Sequence, residues 1–456
     1  MPRRHLSRAS DALEAALSQA TVTRFVEIDR GTLARLPSIV RELSHAGACR
    51  IVADENTMRA AGARVLDLLR AARIGCAVPN VLREMPRVKP RVETAREIAS
   101  QIGATHQLPI AVGSGVVNDI VKCAAQFAGV PYVSVPTAAS MDGYAAPGAA
   151  MLDEGFKRSL SCRAPVAIVA DLDVIAAAPP QMTAWGYGDL AGKVVAGADW
   201  MLADALGEEP IDTGAFTLVQ EPLKDWFSRA NRNGSEDGDA LRGLVNGLLV
   251  SGFAMQAHGT SRPASGCEHQ LAHLWEMDGV AVDGEPVSHG ACVGVATVAM
   301  LALYRWLLAQ DVAARASAVL ADHRVLRQDV ESAVYAEIES AFPVAAVAES
   351  AKVEMRAKLD RLRFRRQRLQ SLRDSWATLR SRLEATLLTP DAMRRLLTAH
   401  DAVCEPCDIA VSTAKLESDI RRARLIRRRY TLLDCLDDLG WLEISARDVF
   451  RIGARD

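Results

Sequence analysis

The chain has 456 residues, of which 49% are hydrophobic and 24% charged, and its formal net charge is −2. This length allows two or three domains with a large core, and the near-neutral charge excludes a global attraction to nucleic acid or to an anionic membrane. The beginning, "MPRRHLSRASDALEAALSQA", lacks the continuous apolar core of a signal peptide, and we find no apolar run of about eighteen residues. The sequence therefore predicts a soluble, cytoplasmic protein with no nucleic-acid or membrane partner.

The nine cysteines are odd in number and stand mostly alone in apolar contexts, which favours reduced, buried thiols over a disulfide framework. Only "CEPC" brings two of them close together, at Cys404 and Cys407. This pair has no second pair to complete a zinc site, and no thioredoxin-like strand precedes it. Two loop cysteines are therefore preferred over a redox motif.

Short apolar runs alternate with helical patterns from about residue 22 to 175. The predicted strands are "CRIVADENT", "GCAVPNVL", "LPIAVGSG", "VPYVSVPT" and "PVAIVADLD". The predicted helices between them are "MRAAGARVLDLLRAARI", "VETAREIASQIG" and "VVNDIVKCAAQFAG". Strands separated by helices in this way are typical of an α/β domain with a parallel sheet and helices on its faces.

Beyond Pro179-Pro180 the strand pattern fades and long Ala- and Leu-rich stretches predict an all-helical region. One part of it, "KLDRLRFRRQRLQSLRDSWATLRSRL", is strongly basic, as is "RRARLIRRRY". Such helices could bind nucleic acid. Because Leu and Phe recur in them at helical spacing, a solvated helix face is the preferred interpretation.

The segment "AVGSGVVNDIVK" has the features of a phosphate-binding turn. A strand ends, two glycines allow close backbone approach, and a helix begins with its amide groups facing the turn. However, Asn118 stands where the third glycine of a dinucleotide fingerprint would be, and no P-loop lysine follows. A plain strand-to-helix turn remains the alternative.

Two further segments follow predicted strands. Asp54 stands where parallel sheets hydrogen-bond an adenosine ribose, although it could equally cap the next helix. The run "SVPTAASMDGYAAPGAA" surrounds Asp142 with small residues, which leave room for a ligand at the carboxyl end of a strand. A simple Gly/Pro loop is the competing interpretation.

Three of the nine histidines lie within twenty-one residues, in "SGCEHQLAHLWE" and "VSHGACVG". His269 and His273 are four positions apart on one predicted helix, and His289 follows. Asp189, in "AWGYGDLAGK", is a carboxylate in an apolar segment. With two histidines it would form a three-ligand metal site with a vacant position, as catalytic sites have. Spacing alone does not decide between His273 and His289, or exclude separate core or surface histidines.

Five motifs occur in one order: "GSGVVNDIVK", "VPTAASMDGYAAP", "GYGDLAGK", "SRPASGCEHQLAHLWE" and "SHGACVG". Together they resemble the sn-glycerol-1-phosphate dehydrogenases, particularly the bacterial branch, within the group of iron-containing alcohol dehydrogenases, glycerol dehydrogenases and 3-dehydroquinate synthases. The ending "IRRRYTLLDCLDDLGWL" is also similar, so the resemblance covers about residues 50–440 apart from a basic region near 345–390.

The resemblance implies a Rossmann-like dinucleotide-binding domain over residues 1–180 and an all-helical metal- and substrate-binding domain over residues 181–456, with the active site in the interdomain cleft. It implies metal ligation by Asp189, His269 and His289. The positions that match catalytic or substrate-contacting groups are His273, Asp142 and Asp189. The positions that match cofactor contacts are Gly113, Ser114, Gly115, Val116, Val117, Asp119, Thr137 and Ser140, and Asp54 is added from its place in the sheet. Ala146 replaces a serine common in the family, and "TAAS" replaces "TAPS".

The implied reaction is the reversible reduction of dihydroxyacetone phosphate to sn-glycerol 1-phosphate by NADH or NADPH, in a cytoplasmic homodimer. Zinc or nickel suits the ligand set, and iron is an alternative. Arg262 is the candidate for binding the substrate phosphate, or else for a structural salt bridge. Asp54 favours NAD over NADP. The alternatives are another polyol or polyol-phosphate dehydrogenase, a 3-dehydroquinate synthase-like lyase, and a non-catalytic nucleic-acid-binding or scaffold protein.

Overall fold

The computed structural model describes residues 5–7, 11–43, 48–84, 87–104, 107–154, 156–229, 237–322, 330–362 and 364–450. The chain forms two compact units. The first comprises Met1–Asp153, Lys157–Leu190 and Gly214–Pro263, and the second comprises Glu154–Phe156, Ala191–Thr213 and Ala264–Asp456. The expected domain boundary at residue 180 coincides with the first residue of a long helix, whereas the units divide inside that helix after Leu190.

The first unit is built on a parallel sheet. Its strands are β1 His5–Ser7, β2 Phe25–Asp29, β3 Cys49–Asp54, β4 Asn80–Leu82, β5 Leu108–Gly113, β6 Val133–Pro136 and, after a separate pair β7 Gly148–Asp153 and β8 Phe156–Ser161, β9 Ala167–Asp171. The order is β1-β2-β9-β6-β5-β3-β4, and all neighbouring strands in it are parallel. The predicted parallel α/β fold is thus confirmed.

Apolar side chains cover both faces of this sheet. Ile110 and Val112 of β5 join one buried cluster, whereas Ala111 between them joins the other. This alternation follows from the two-residue period of a strand. The strands are therefore apolar throughout, which is why the sequence showed continuous apolar runs rather than alternation.

Helices flank the strands of the first unit. They are α1 Asp11–Gln19, α2 Leu36–Leu43, α3 Glu55–Thr57, α4 Ala63–Ala71, α5 Val92–Gly103, α6 Gly115–Ala128, α7 Leu172–Ala176, the first part of α8 Pro180–Ala205, α9 Thr213–Gln220, α10 Leu223–Arg229 and α11 Asp237–His258. A π-helical turn, Met58–Gly62, joins α3 to α4.

Two departures from the predicted strands have local causes. The predicted strand "GCAVPNVL" shrinks to β4, which lies at the sheet edge after Pro79, a residue that has no amide proton for strand pairing. The pair β7 and β8 lies in the segment that sequence patterns marked only as a Gly/Pro loop and its continuation.

The described residues from 264 onward are helical apart from one short hairpin. The helices are α12 Cys267–Met277, α13 His289–Leu308, α14 Val312–Ala321, α15 Val330–Ala341, α16 Ala345–Leu362, α17 Arg365–Thr386, α18 Pro390–Thr398, α19 Thr413–Arg424, α20 Leu432–Asp438 and α21 Leu442–Phe450. The hairpin strands are β10 Ala281–Val282 and β11 Glu285–Pro286. The expected all-helical character is confirmed with this small exception.

Among the described residues, only α13 passes a length-and-composition test for membrane-spanning helices, although Arg305 interrupts its apolar run. Its 20 residues pass that test by length and composition, but 78% of the apolar window is buried inside the protein. The basic helix α17 has the opposite character. It buries an apolar stripe that includes Leu372 and Leu379, and Arg373 and Arg380 are exposed, as expected for a solvated helix face.

Candidate functional site

The glycine turn lies between β5 and α6. A Cβ atom added to Gly113 would lie 2.4 Å from Cβ of Val117, and one added to Gly115 would lie 2.6 Å from Sδ of Met141. Gly113 therefore leaves no room for a side chain beside Val117, whereas a side chain at Gly115 would require the flexible Met141 side chain to move. Within the described contacts, Ser114 forms no side-chain capping hydrogen bond at the start of α6. The amide groups and positive dipole end of α6 thus face the turn, an arrangement that suits an anion.

The loop after β6 lies beside this turn. Gly113 is paired with Pro136 in the sheet, and the amide of Thr137 donates to the carbonyl of Gly113 at 3.1 Å. The structure therefore brings together the residues predicted from the two motifs. Thr137 and Ser140 are both buried, and their contact with the cofactor stays a prediction.

A buried lysine that sequence patterns did not identify holds this loop. Lys122 is fully buried, and its Nζ atom donates to the carbonyls of Gly143 at 2.6 Å and Gly148 at 2.8 Å. Asp119 lies 3.4 Å from the same Nζ and accepts a hydrogen bond from the amide of Ala150. Burial raises the pKa of Asp119, and the Lys122 cation opposes that shift. Asp119 thus contacts Lys122 and β7, and its link to the cofactor stays a prediction.

Asp54 has the capping role that was weighed against ribose binding. Its Oδ1 atom accepts from the amide of Thr57 at 2.8 Å, and the amide of Asp54 donates to the Thr57 hydroxyl oxygen at 3.0 Å. This is a capping box at the start of α3. Asp54 nevertheless ends β3, which pairs with β5, so it lies at the same edge of the sheet as the glycine turn. A ribose contact stays a prediction.

Asp142 and Asp189 are directly connected within the first unit. The amide of Asp142 donates to Oδ2 of Asp189 at 2.8 Å, and the hydroxyl of Ser251 donates to Oδ2 of Asp142 at 3.3 Å. Asp189 is completely buried. Gly186 of α8 permits the close approach of the loop that carries Asp142, because a Cβ at this position would lie 1.9 Å from the carbonyl oxygen of Ala139. The loop that carries Asp142 therefore packs directly on the backbone of α8.

The three clustered histidines lie together in the second unit. The ring centroids of His269 and His289 are 5.3 Å apart, those of His273 and His289 are 5.4 Å apart, and those of His269 and His273 are 5.9 Å apart. His269 and His273 are buried on α12, and His289 begins α13. The alternative that these are separate core or surface histidines is therefore wrong, because the three rings are neighbours.

Hydrogen-bond partners distinguish the three rings. Nδ1 of His269 lies 2.7 Å from a Glu268 carboxylate oxygen, and Nδ1 of His289 lies 3.3 Å from a Glu276 carboxylate oxygen. A carboxylate accepts only, so both Nδ1 atoms carry the proton and both Nε2 atoms offer a lone pair. Metal-binding histidines typically have such a carboxylate partner. These two side chains therefore fit a divalent metal ion.

His273 has the opposite kind of partner. Its Nδ1 atom lies 2.9 Å from Nη2 of Arg427, and a guanidinium group can only donate. Nε2 of His273 therefore carries the proton and has no lone pair for a metal. By distance alone His273, Glu276 and His289 could also form a ligand group. The hydrogen bond from Arg427 disfavours that group.

Sequence reasoning missed several residues that define the site. Glu268 adjoins His269 in the motif and could have been noticed as a partner. Arg427 is 154 residues from His273 along the chain, so no local signal identifies it. Arg262, the proposed phosphate ligand, is completely buried at the end of the first unit.

Comparisons with known proteins agree with this description. The sequence model of the iron-containing alcohol dehydrogenases matches residues 27–179. A glycerol-1-phosphate dehydrogenase (NAD(P)+) of Bacillus licheniformis is 34% identical over 288 residues, which cover 63% of this chain and 72% of the relative. One from Methanosarcina barkeri is 36% identical over 281 residues, which cover 62% and 76%.

Solved structures support the fold alone. The crystal structure of glycerol dehydrogenase from Schizosaccharomyces pombe matches with a TM-score of 0.59 at 13% identity, covering 100% of this chain and 95% of that chain. The NADH-dependent butanol dehydrogenase of Thermotoga maritima matches with a TM-score of 0.55 at 13% identity, covering 97% and 99%. The sequence relatives and the matching family model show that the chain belongs to the glycerol-1-phosphate dehydrogenase family, within the iron-containing alcohol dehydrogenases.

Proposed function

We propose that this protein catalyses the reversible, metal-dependent reduction of dihydroxyacetone phosphate to sn-glycerol 1-phosphate with NADH or NADPH. Family membership supports the reaction class, a nicotinamide cofactor, a divalent metal and a small phosphorylated substrate. The observation that carries the proposal is that three adjacent histidines have different hydrogen-bond partners at Nδ1, a carboxylate for two of them and a guanidinium group for the third. Two of them present lone pairs for a metal, and the third presents a hydrogen-bond donor.

For the cofactor, we infer that the pyrophosphate lies at the glycine turn, against the amide end of α6. The absence of a side chain at Gly113 and Gly115 allows close backbone approach. Thr137 and Ser140 lie in the loop just after the adjacent strand β6 and would contact the nicotinamide side of the cofactor. Asp54, at the same sheet edge, would accept the ribose hydroxyls and repel a 2′-phosphate, which favours NAD.

For the metal, we infer ligation by Asp189, His269 and His289. Within the second unit, Gly192 lies against His269, because a Cβ on Gly192 would be 3.3 Å from Cε1 of that ring. Asp189 precedes Gly192 by three residues in α8, so the two share a helix face. An Asp/His/His set suits zinc or nickel, and ferrous iron is an alternative. When bound, the divalent ion supplies Lewis-acid polarisation of a carbonyl oxygen.

In the proposed reaction the substrate's carbonyl carbon gains a hydride and its oxygen gains a proton. His273 would contact that oxygen, where negative charge grows in the transition state. Asp142, held by Ser251, would contact a substrate hydroxyl. Arg262 remains the proposed phosphate ligand, because guanidinium pairs with phosphate through two hydrogen bonds. We also infer a cytoplasmic homodimer without nucleic-acid or membrane partners, from the family resemblance and the near-neutral charge.

Three other functions would each be recognised by a different experimental outcome. A 3-dehydroquinate synthase-like lyase would use NAD only transiently, so it would show no net NADH consumption. A different polyol or polyol-phosphate dehydrogenase would oxidise its own substrate faster than glycerol 1-phosphate. A nucleic-acid-binding scaffold would lack turnover and would bind DNA or RNA in a salt-sensitive manner.

The test measures NADH and NADPH oxidation with dihydroxyacetone phosphate, using apo-protein reloaded with zinc, nickel or iron. We expect metal-dependent turnover that chelation removes and that His269→Ala abolishes together with metal binding. His400→Ala is the matched control, since His400 lies outside the histidine cluster at the end of α18, and it should retain both. Absence of turnover with all three metals would contradict the proposed substrate.

A further inference from the structure

Arg427 approaches the histidine cluster from a distant part of the chain. Its Nη1 atom donates to the carbonyl of Ile426 at 3.0 Å, which leaves Nη2 directed at Nδ1 of His273. Burial lowers the pKa of Arg427, and the Glu354 and Glu276 carboxylates oppose that shift. In such a low-dielectric setting, a hydrogen bond from a cation to a ring nitrogen is strong and directional.

The charge of the partner decides what each ring can offer. Glu268 and Glu276 accept from Nδ1 of their histidines, so those rings offer Nε2 lone pairs. Arg427 donates to Nδ1 of His273, so that ring offers an Nε2–H group. The three rings are otherwise equivalent neighbours, with centroids 5.3 to 5.9 Å apart. Among the three ring-nitrogen contacts described here, the one from Arg427 is the only one made by a group that can only donate.

We propose that Arg427 is a positioning residue that holds His273 as the neutral Nε2–H tautomer, so that the ring donates a hydrogen bond to the substrate oxygen and does not bind the metal. The proposal rests on the proposed function. A neutral imidazole can stabilise a developing negative charge as a hydrogen-bond donor. No proton moves through His273 in this scheme, because loss of the Nε2 proton would leave an imidazolate. The oxygen takes its proton from water.

The first test is spectroscopic and uses the zinc-loaded protein with nitrogen-15-labelled histidine side chains. The signals of His273 are assigned by their loss in His273→Asn. We expect the wild-type ring to show a protonated Nε2 and an unprotonated Nδ1. In Arg427→Met this pattern should be lost, whereas Arg427→Lys, which still donates, should largely retain it. Metal content should remain at one equivalent in each of these variants.

The second test is kinetic. We expect Arg427→Met to lower kcat about 10- to 100-fold with little change in KM, because the lost group acts on charge that exists only in the transition state. Added guanidinium should restore part of this activity. Arg428→Met is the matched control. Arg428 is the neighbouring, exposed arginine and pairs with Glu354, so its loss should leave kcat and the histidine signals unchanged.

Several results would overturn the inference. A wild-type His273 that carries its proton on Nδ1 would contradict it directly. A rise in KM for dihydroxyacetone phosphate with unchanged kcat in Arg427→Met would assign the arginine to binding the substrate phosphate instead. Loss of metal in that variant would assign it to the metal site. If the wild-type enzyme does not turn over dihydroxyacetone phosphate, the proposed function fails, and the nitrogen signals still decide the tautomer.

Discussion

Replacement of Gly186 by alanine tests whether the close approach of α8 to the Asp142 loop is essential. The new Cβ would lie 1.9 Å from the carbonyl oxygen of Ala139 and 3.2 Å from Cδ2 of Leu244. Relief requires a backbone shift of about 1.5 Å, a form of overpacking that typically costs about 1–3 kcal/mol. Replacing glycine by alanine inside a helix stabilises the folded state by about 0.5–1 kcal/mol, which offsets part of this cost. The difference is about 0–2.5 kcal/mol, and we expect the upper part of it, about 1–2.5 kcal/mol, because the atom that the Cβ meets is a backbone oxygen and cannot rotate away.

Gly243→Ala is the matched control. Gly243 lies in α11 of the same unit, and a Cβ there would meet nothing within 4 Å. It should therefore keep the helix gain of about 0.5–1 kcal/mol and raise the unfolding temperature slightly.

Thermal unfolding of both variants, followed by circular dichroism, gives the comparison. For a unit of this size, in which 1 kcal/mol shifts the midpoint by about 2–4 °C, we expect Gly186→Ala to lower the midpoint by about 2–10 °C. We also expect a higher KM for the nicotinamide cofactor, because Ala139 lies between Thr137 and Ser140. A midpoint of Gly186→Ala equal to that of the wild type or above it would refute the reasoning.

Two further predictions concern carboxylates. Glu268→Gln and Glu276→Gln should each weaken zinc affinity about 10- to 100-fold in calorimetric titration, because the histidine ligands lose an anionic partner. The control Glu285→Gln, at an exposed position, should leave the zinc affinity unchanged. An unchanged affinity in both test variants would contradict the role of the carboxylates. Although burial opposes the shift, Arg422 and Lys415 hold the pKa of Asp278 below its ordinary value. Its stabilisation is present at neutral pH and is lost as the pH falls through that lowered pKa. Asp278→Asn should therefore lower the urea midpoint at pH 7 and reduce the further loss that the wild type shows on acidification below the ordinary pKa of an aspartate. Parallel curves for both proteins would contradict this.

Local sequence patterns were sufficient for much of the fold. Helix α5 follows the predicted helix "VETAREIASQIG" residue for residue, and the predicted strand that ends at Asp54 is β3. Both elements are recognised by short-range periodicity, which the sequence displays directly. The family motifs likewise lie in contiguous stretches. Strand β2 and the pair β7 and β8 were not recognised, because short segments of mixed polarity carry little periodic signal.

The sequence by itself determined the parallel α/β class, the glycine turn, the family and the group of residues from which a metal site would be built. It left Asp54 between two roles and gave no reason to separate His273 from His289 beyond the family resemblance. Only the tertiary structure showed that Asp54 caps a helix and that Nδ1 of His273 lies against a guanidinium group, whereas Nδ1 of His289 lies against a carboxylate. In the sequence, Gly186 and Gly243 are both glycines within predicted helical stretches. In the structure, the α-carbon of Gly186 faces a carbonyl oxygen, whereas Gly243 has open space beside it. The physical reason is common to all of these cases. Hydrogen-bond partners and steric limits are set by residues distant in the chain, and no local pattern encodes them.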